Sequence, residues 1–183
     1  MDTEIMNIKN ILLVEDDPRD VELTLAALDE HHLTNKVFVV NDGATALDYL
    51  YRRGEFKTRA GGHPILVLLD LKMPKVSGLE VLKIIKADEY LKIIPVVVLS
   101  SSRETPDLVE CYKHGVNAYV VKPVDFADFM NAVKQLGIFW AAINEPPPQT
   151  GREETSIQSG EVISPGKKEV NTEIPAPRSA PGG

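Results

Sequence analysis

The chain has 183 residues, 43% apolar and 26% charged, with a net charge of -7. This is the composition of an ordinary soluble domain with one sizeable core, and its acidic balance argues against non-specific binding to nucleic acid or an anionic membrane. A single cysteine, Cys111, excludes an internal disulfide; with neither a signal peptide nor a membrane-spanning run in the sequence, a cytoplasmic protein is expected.

Ile11-Leu12-Leu13-Val14 reads as a strand buried on both faces. It runs into Glu15-Asp16-Asp17-Pro18, where Asp17 and Pro18 suit the cap and first position of a helix carrying Val21, Leu25 and Leu28 on one face. Val37 to Val40 forms a second strand, closed by Asn41-Asp42-Gly43. A helix with Ala46, Leu47, Leu50 and Tyr51 inward follows. Arg52 to Pro64 is a polar loop with four basic residues and little periodicity.

Ile65 to Leu69 is a third apolar strand, stopping at Asp70, with Pro74 marking the turn beyond it. Ser77 and Glu80 form a capping box for a helix with Leu79, Leu82 and Ile84 or Ile85 inward. Val96 to Leu99 is a fourth strand ending at Ser100. Thr105-Pro106 then opens a helix that stops at Gly115 and makes Cys111 a small core residue. Ala118 to Val121 is the fifth strand, ending at Lys122-Pro123. Asp125 caps a last helix with the stripe Phe126, Phe129, Met130, Val133 and Leu136.

Five strands alternating with five helices predict an α/β fold, a parallel sheet with helices on both faces. The folded domain is expected over residues 1–144. Residues 145–183 hold seven of the thirteen prolines, five glycines and no aromatic residue, and are expected to be a disordered tail.

In such sheets ligand chemistry gathers beyond the carboxyl ends of the strands. Every strand but the second ends there in a chemically useful group: Glu15 and Asp16, Asp70, Ser100, and Lys122. Clustered carboxylates repel one another unless a cation sits among them. Hard oxygen donors with room for water suit Mg2+, and no Cys or His pair offers a zinc site. An Asp at a metal beside a hydroxyl and a lysine is arranged to accept a phosphoryl group, and Asp70 ends the central strand.

These motifs resemble the CheY-like receiver domain of bacterial two-component response regulators. The resemblance rests on Leu13-Val14-Glu15-Asp16, Leu69-Asp70-Leu71-Lys72-Met73-Pro74 with Gly78, Leu99-Ser100-Ser101 and Tyr119-Val120-Val121-Lys122-Pro123, and runs from about Lys9 to Asn144. It implies the doubly wound strand order 2-1-3-4-5 and a phosphorelay protein, not an enzyme in its own right. By resemblance Asp70 is the phospho-acceptor; Asp16 and Asp70 bind the metal directly, Glu15 mostly through water, and the backbone carbonyl of Lys72 completes the set. Ser100 and Lys122 would hold the phosphoryl group, and Tyr119 would be the switch that remodels the surface of the fourth helix, fifth strand and fifth helix. Pro123 would follow a cis peptide bond. The partner implied is a sensor histidine kinase. The basic loop, the Phe139-Trp140 ending and the lack of an output domain resemble the single-domain regulators of phytochrome-type or hybrid kinases.

An Asp-nucleophile phosphatase of the haloacid dehalogenase type is the enzyme alternative, but it needs an acid two residues after the nucleophile, where Lys72 stands. A flavodoxin-like carrier would need a phosphate loop where Glu15-Asp16-Asp17 lies. From Gly137 to Ile143 the last helix is apolar all round: Trp140 continues the inner stripe, and Ala132, Leu136, Phe139 and Ile143 form a second one. A symmetric homodimer through Phe139, Trp140 and Ile143 is therefore expected.

Overall fold

The computed structural model describes residues 10–29, 37–122 and 125–145. Pro123, with the cis peptide bond expected before it, and the tail from residue 146 on lie outside the described residues.

Five short strands, β1 (Ile11–Val14), β2 (Val37–Val40), β3 (Leu66–Leu69), β4 (Val96–Ser100) and β5 (Ala118–Val121), form one parallel sheet. Its order is β2-β1-β3-β4-β5. The connecting helices are α1 (Pro18–Asp29), α2 (Gly43–Tyr51), α3 (Gly78–Ala87), α4 (Thr105–Lys113) and α5 (Phe126–Ile138).

Strand residues alternate between two cores. Leu12, Val14, Val67, Leu69, Val96 and Val98 face α2, α3 and α4. Ile11, Leu13, Leu66, Leu68, Val97 and Leu99 face α1 and α5. All of β1, β3 and β4 is buried, which is why these stretches read as unbroken apolar runs.

The caps follow the sequence closely. Asp42 accepts from the Thr45 N–H at 2.8 Å, Ser77 and Glu80 form the capping box, and the Asp125 carboxylate accepts from Ala127 and Asp128 N–H groups. Cys111 is buried, and burial foremost pushes its thiol up to about 11, so it is an inert core group.

Several inward faces differ from expectation. In α1 the buried positions are Thr24, Ala27 and Leu28, with Leu25 only half-buried. In α2 Tyr49 is also buried, stacked on Phe38 at 4.7 Å and edge-on to Phe56 at 5.3 Å, while Tyr51 is half-buried and packs against the same core. The basic loop is not structureless: Gly54–Thr58 is a 3-10 turn that buries Phe56. Arg59 lies over the Tyr49 ring at 4.3 Å and donates to the Tyr49 carbonyl at 3.0 Å. Basic residues thus pin the loop through their stems and planar heads.

In α5 the inner stripe is Phe129, Val133, Leu136 and Trp140, spaced i, i+4, i+7, i+11. Phe126 is exposed, and Leu136 belongs to the core rather than to a second stripe. Phe139–Ile143 continues as a π turn, closed by the Asn144 N–H to the Phe139 carbonyl at 2.7 Å. Trp140 packs inward, edge-on to Phe139 at 5.1 Å, while Phe139 and Ile143 stay exposed.

Candidate functional site

Parallel register sets the site. Val14 pairs with Leu69, so Glu15 and Asp70 leave the sheet side by side, and the Asp70 N–H donates to the Val14 carbonyl at 3.0 Å. Asp16 follows, exposed, on the turn into α1. One carboxylate oxygen each from Glu15, Asp16 and Asp70 lie within 4.8 Å of one another. Two of these acids are almost wholly buried: Glu15 is 3% and Asp70 5% exposed.

Ser100 pairs with Val121 across β4 and β5, and the Lys122 N–H donates to the Ser100 carbonyl at 2.8 Å. That bond fixes the start of the Lys122 side chain beside β4. Its ammonium turns back across the sheet edge to Glu15 at 2.6 Å, Asp20 at 2.5 Å and Asp70 at 3.3 Å. Glu15, Asp16, Asp70 and Lys122 are thus brought together as expected.

The electrostatics follow from that packing. Burial raises the pKa of Glu15; hydrogen bonding and charge from Lys122 oppose the rise, and the Asp70 charge adds to it. For Lys122 burial works against the ammonium, but hydrogen bonds to Asp20 and Glu15 and the charge of Asp70 outweigh it, and its pKa rises. The ammonium therefore stays charged across the physiological range. Asp70 is held from both sides: Lys72 N–H donates to its Oδ2 at 2.8 Å, and Lys122 approaches Oδ1. The Lys72 side chain itself is exposed.

Ser100 is fully buried, and its hydroxyl oxygen accepts from the Ser102 N–H at 3.2 Å. Ser102 was not singled out by sequence, yet it ties three segments together. Its hydroxyl donates to Asp107 at 2.6 Å at the start of α4, and its carbonyl accepts from the Tyr119 hydroxyl at 3.1 Å. Tyr119 is half-buried; burial raises its pKa against hydrogen bonding from Ser100 and Ser102.

The loop between β3 and α3 is clamped as well. Lys75 sits at φ 64° and pairs with the buried Asp42 at 2.7 Å. Asp20 is the other residue that sequence reasoning missed. An acid in a first helical turn is common enough to carry no signal of its own.

The haloacid dehalogenase-type alternative is not supported, because Asp70 closes the third strand and Lys72 occupies the place its general acid would need. A family model for the response regulator receiver domain matches residues 11–134. Response regulator Rcp1 of Synechocystis sp. is 37% identical over 132 residues, covering 72% of this chain and 88% of its own. Among solved structures, the phosphorylated cyanobacterial phytochrome response regulator RcpA aligns with a TM-score of 0.72 at 39% identity, over 76% of this chain and 99% of that one. The bacteriophytochrome response regulator RtBRR aligns with a TM-score of 0.62 at 60% identity, over 77% and 85%. Fold, strand-end acids and sequence kinship agree, and the chain belongs to the response regulator receiver domain family.

Proposed function

We propose that this protein is a phosphorelay switch in which Asp70 accepts a phosphoryl group from a sensor histidine kinase. The observation that carries this reading is the meeting of Glu15, Asp16 and Asp70 with the Lys122 ammonium at the carboxyl edge of the sheet. A carboxylate oxygen of Asp70 attacks phosphorus, the kinase imidazole leaves, and a mixed acyl phosphate forms on Asp70.

Mg2+ fits the donor set: oxygens only, two buried acids, and an exposed Asp16 where water can complete the shell. It would supply positive charge to the transferring phosphoryl oxygens. Asp16 and Asp70 would bind it directly, Glu15 through water, and the Lys72 carbonyl, next to the N–H already bound to Asp70, would complete the protein ligands. Lys122 would neutralise a phosphoryl oxygen, and Ser100 would donate to another. Tyr119, joined to the Ser100 loop through Ser102, would report the change to α4, β5 and α5.

The kinase is of the phytochrome type in this reading, supported by the similarity to the phytochrome response regulator RcpA and the bacteriophytochrome response regulator RtBRR. Homodimerisation through the end of α5 is supported by Phe139 and Ile143, which are 47% and 68% exposed. The protein acts by changing partners and not by substrate turnover. Mass spectrometry after incubation with Mg2+ and acetyl phosphate tests the core of the proposal. A phosphoryl adduct on Asp70, absent from Asp70→Asn, is the expected result; an adduct at wild-type levels on Asp70→Asn overturns it.

A further inference from the structure

The Lys122 ammonium donates hydrogen bonds to Glu15 and Asp20 and faces Asp70 only as a looser ion pair. Glu15 and Asp20 lie at 2.6 and 2.5 Å, whereas Asp70 is at 3.3 Å. The residue that must meet a phosphoryl group on Asp70 is thus held as closely by an acid outside the metal-type cluster, on a different element, as by Glu15. Asp20 is the third residue of α1 and the acid in that helix's first turn. Its ordinary role there would be to face solvent and complement the helix dipole. Here its side chain is 31% exposed and reaches a lysine 102 positions away, whose own side chain is 12% exposed.

We infer that Asp20 is a latch: it holds Lys122 back from Asp70 in the unphosphorylated protein and competes with the phosphoryl group for the same ammonium. This rests on the reading of Asp70 as the phospho-acceptor. A phosphoryl group on Asp70 adds negative charge and acceptor oxygens next to Lys122. Drawing the ammonium closer to Asp70 stretches its hydrogen bonds to Glu15 and Asp20. Glu15 and Asp70 belong to the three-acid cluster and have other work beside a cation; Asp20 does not. Its contact with the site runs through Lys122. It lowers the stability of the phosphorylated form relative to the free carboxylate, setting how readily the switch resets. Asp20 touches none of the reacting atoms in this scheme and is a positioning residue.

The test compares wild type, Asp20→Asn and Asp20→Glu at saturating Mg2+, with beryllofluoride as the phosphoryl probe and acetyl phosphate as the donor. Asp20→Asn keeps the shape and removes the charge. It is expected to bind beryllofluoride at least about fivefold more tightly than wild type and to lengthen the half-life of phospho-Asp70 by a similar factor. Asp20→Glu, which restores a carboxylate, should return both towards wild type. A merely structural role predicts weaker binding in both variants. Equal or weaker beryllofluoride binding by Asp20→Asn, in a protein with a wild-type unfolding midpoint, overturns the latch and leaves the function standing. A wild-type chain that neither binds beryllofluoride nor takes phosphate on Asp70 overturns the function and the latch together.

Discussion

Gly78, the first residue of α3, lies against the main chain of Asp70. A Cβ added at Gly78 would overlap the Asp70 carbonyl oxygen and stand 2.8 Å from the Leu71 Cα and 2.9 Å from the Asp70 carbonyl carbon. The neighbours are backbone, so they cannot swing away as a flexible side chain would. Gly78→Ala should therefore destabilise the protein by roughly 1–3 kcal/mol, the usual cost of overpacking. It should also slow Asp70 phosphorylation, because the Asp70 carboxylate is aimed by the segment that must move. Urea unfolding and the initial rate with acetyl phosphate check both effects; a variant with unchanged stability would contradict the close approach.

Ser100 is placed to separate receiving phosphate from responding to it. Its hydroxyl holds the Ser102 N–H, and Ser102 holds Tyr119. Ser100→Ala should still be phosphorylated on Asp70, at a cost of roughly 1–3 kcal/mol in stability for the buried N–H left without its acceptor. Addition of beryllofluoride should then shift the Tyr119 NMR resonances in wild type and barely move them in the variant. Equal shifts in both proteins would remove Ser100 from the switch.

Asp42 links stability to acid pH. Hydrogen bonding to Lys75, and then to the Thr45 N–H, holds its carboxyl below the usual carboxylate range. A carboxylate with a depressed folded pKa contributes fully above its unfolded value, near 3.8 here, and its contribution fades as pH falls through the folded value. Lys75 is largely exposed, so the loss comes mainly from the helix cap. Asp42→Ala should cost about 1 kcal/mol at neutral pH, and its unfolding curve should converge on that of wild type as pH falls through the lowered folded value. A difference that persists undiminished in acid would show that the charge is not the cause.

Phe139 offers the cleanest test of self-association. It is exposed, whereas Trp140 braces the core and its loss would damage the fold. Phe139→Ala should weaken a dimer by about 2 kcal/mol, a shift towards monomer of roughly thirtyfold in dissociation constant. Sedimentation velocity should show this shift, while deletion of residues 146–183 should leave the dimer intact. A wild-type protein that stays monomeric at high micromolar concentration, with or without beryllofluoride, excludes the interface.

The parts of this protein legible in its sequence are those decided locally or by burial on both faces. β1, β3 and β4 announce themselves because every side chain in them meets a core. The capping box at Ser77 and Glu80 is a four-residue event. The acids and Lys122 could be grouped because parallel strands deliver their carboxyl ends to one edge. Asp20 and Ser102 could not, since each acquires its meaning from a residue that arrives late in the chain: Lys122 in one case, Tyr119 in the other. Tyr49 was missed because Phe38 and Phe56, from separate segments, build an aromatic pocket around it. Leu136 was placed in two stripes at once because an all-round apolar helix end leaves no polar face to orient the period.

The ion pair between Glu15 and Lys122 joins residues 107 positions apart in the chain, and this sets an order of events during synthesis. Translation runs from the amino end, so the strands bearing Glu15, Asp16 and Asp70 leave the ribosome well before β5. A sheet of β2, β1 and β3 alone would carry all three acids at its carboxyl end without the ammonium that balances them. Like charges at the ends of adjacent strands oppose the closure of that half-sheet. β5 brings the ammonium to that edge, so docking of the last strand would also offset the charge there. The pair that prepares the protein for signalling also favours completing the sheet over stopping at its first half.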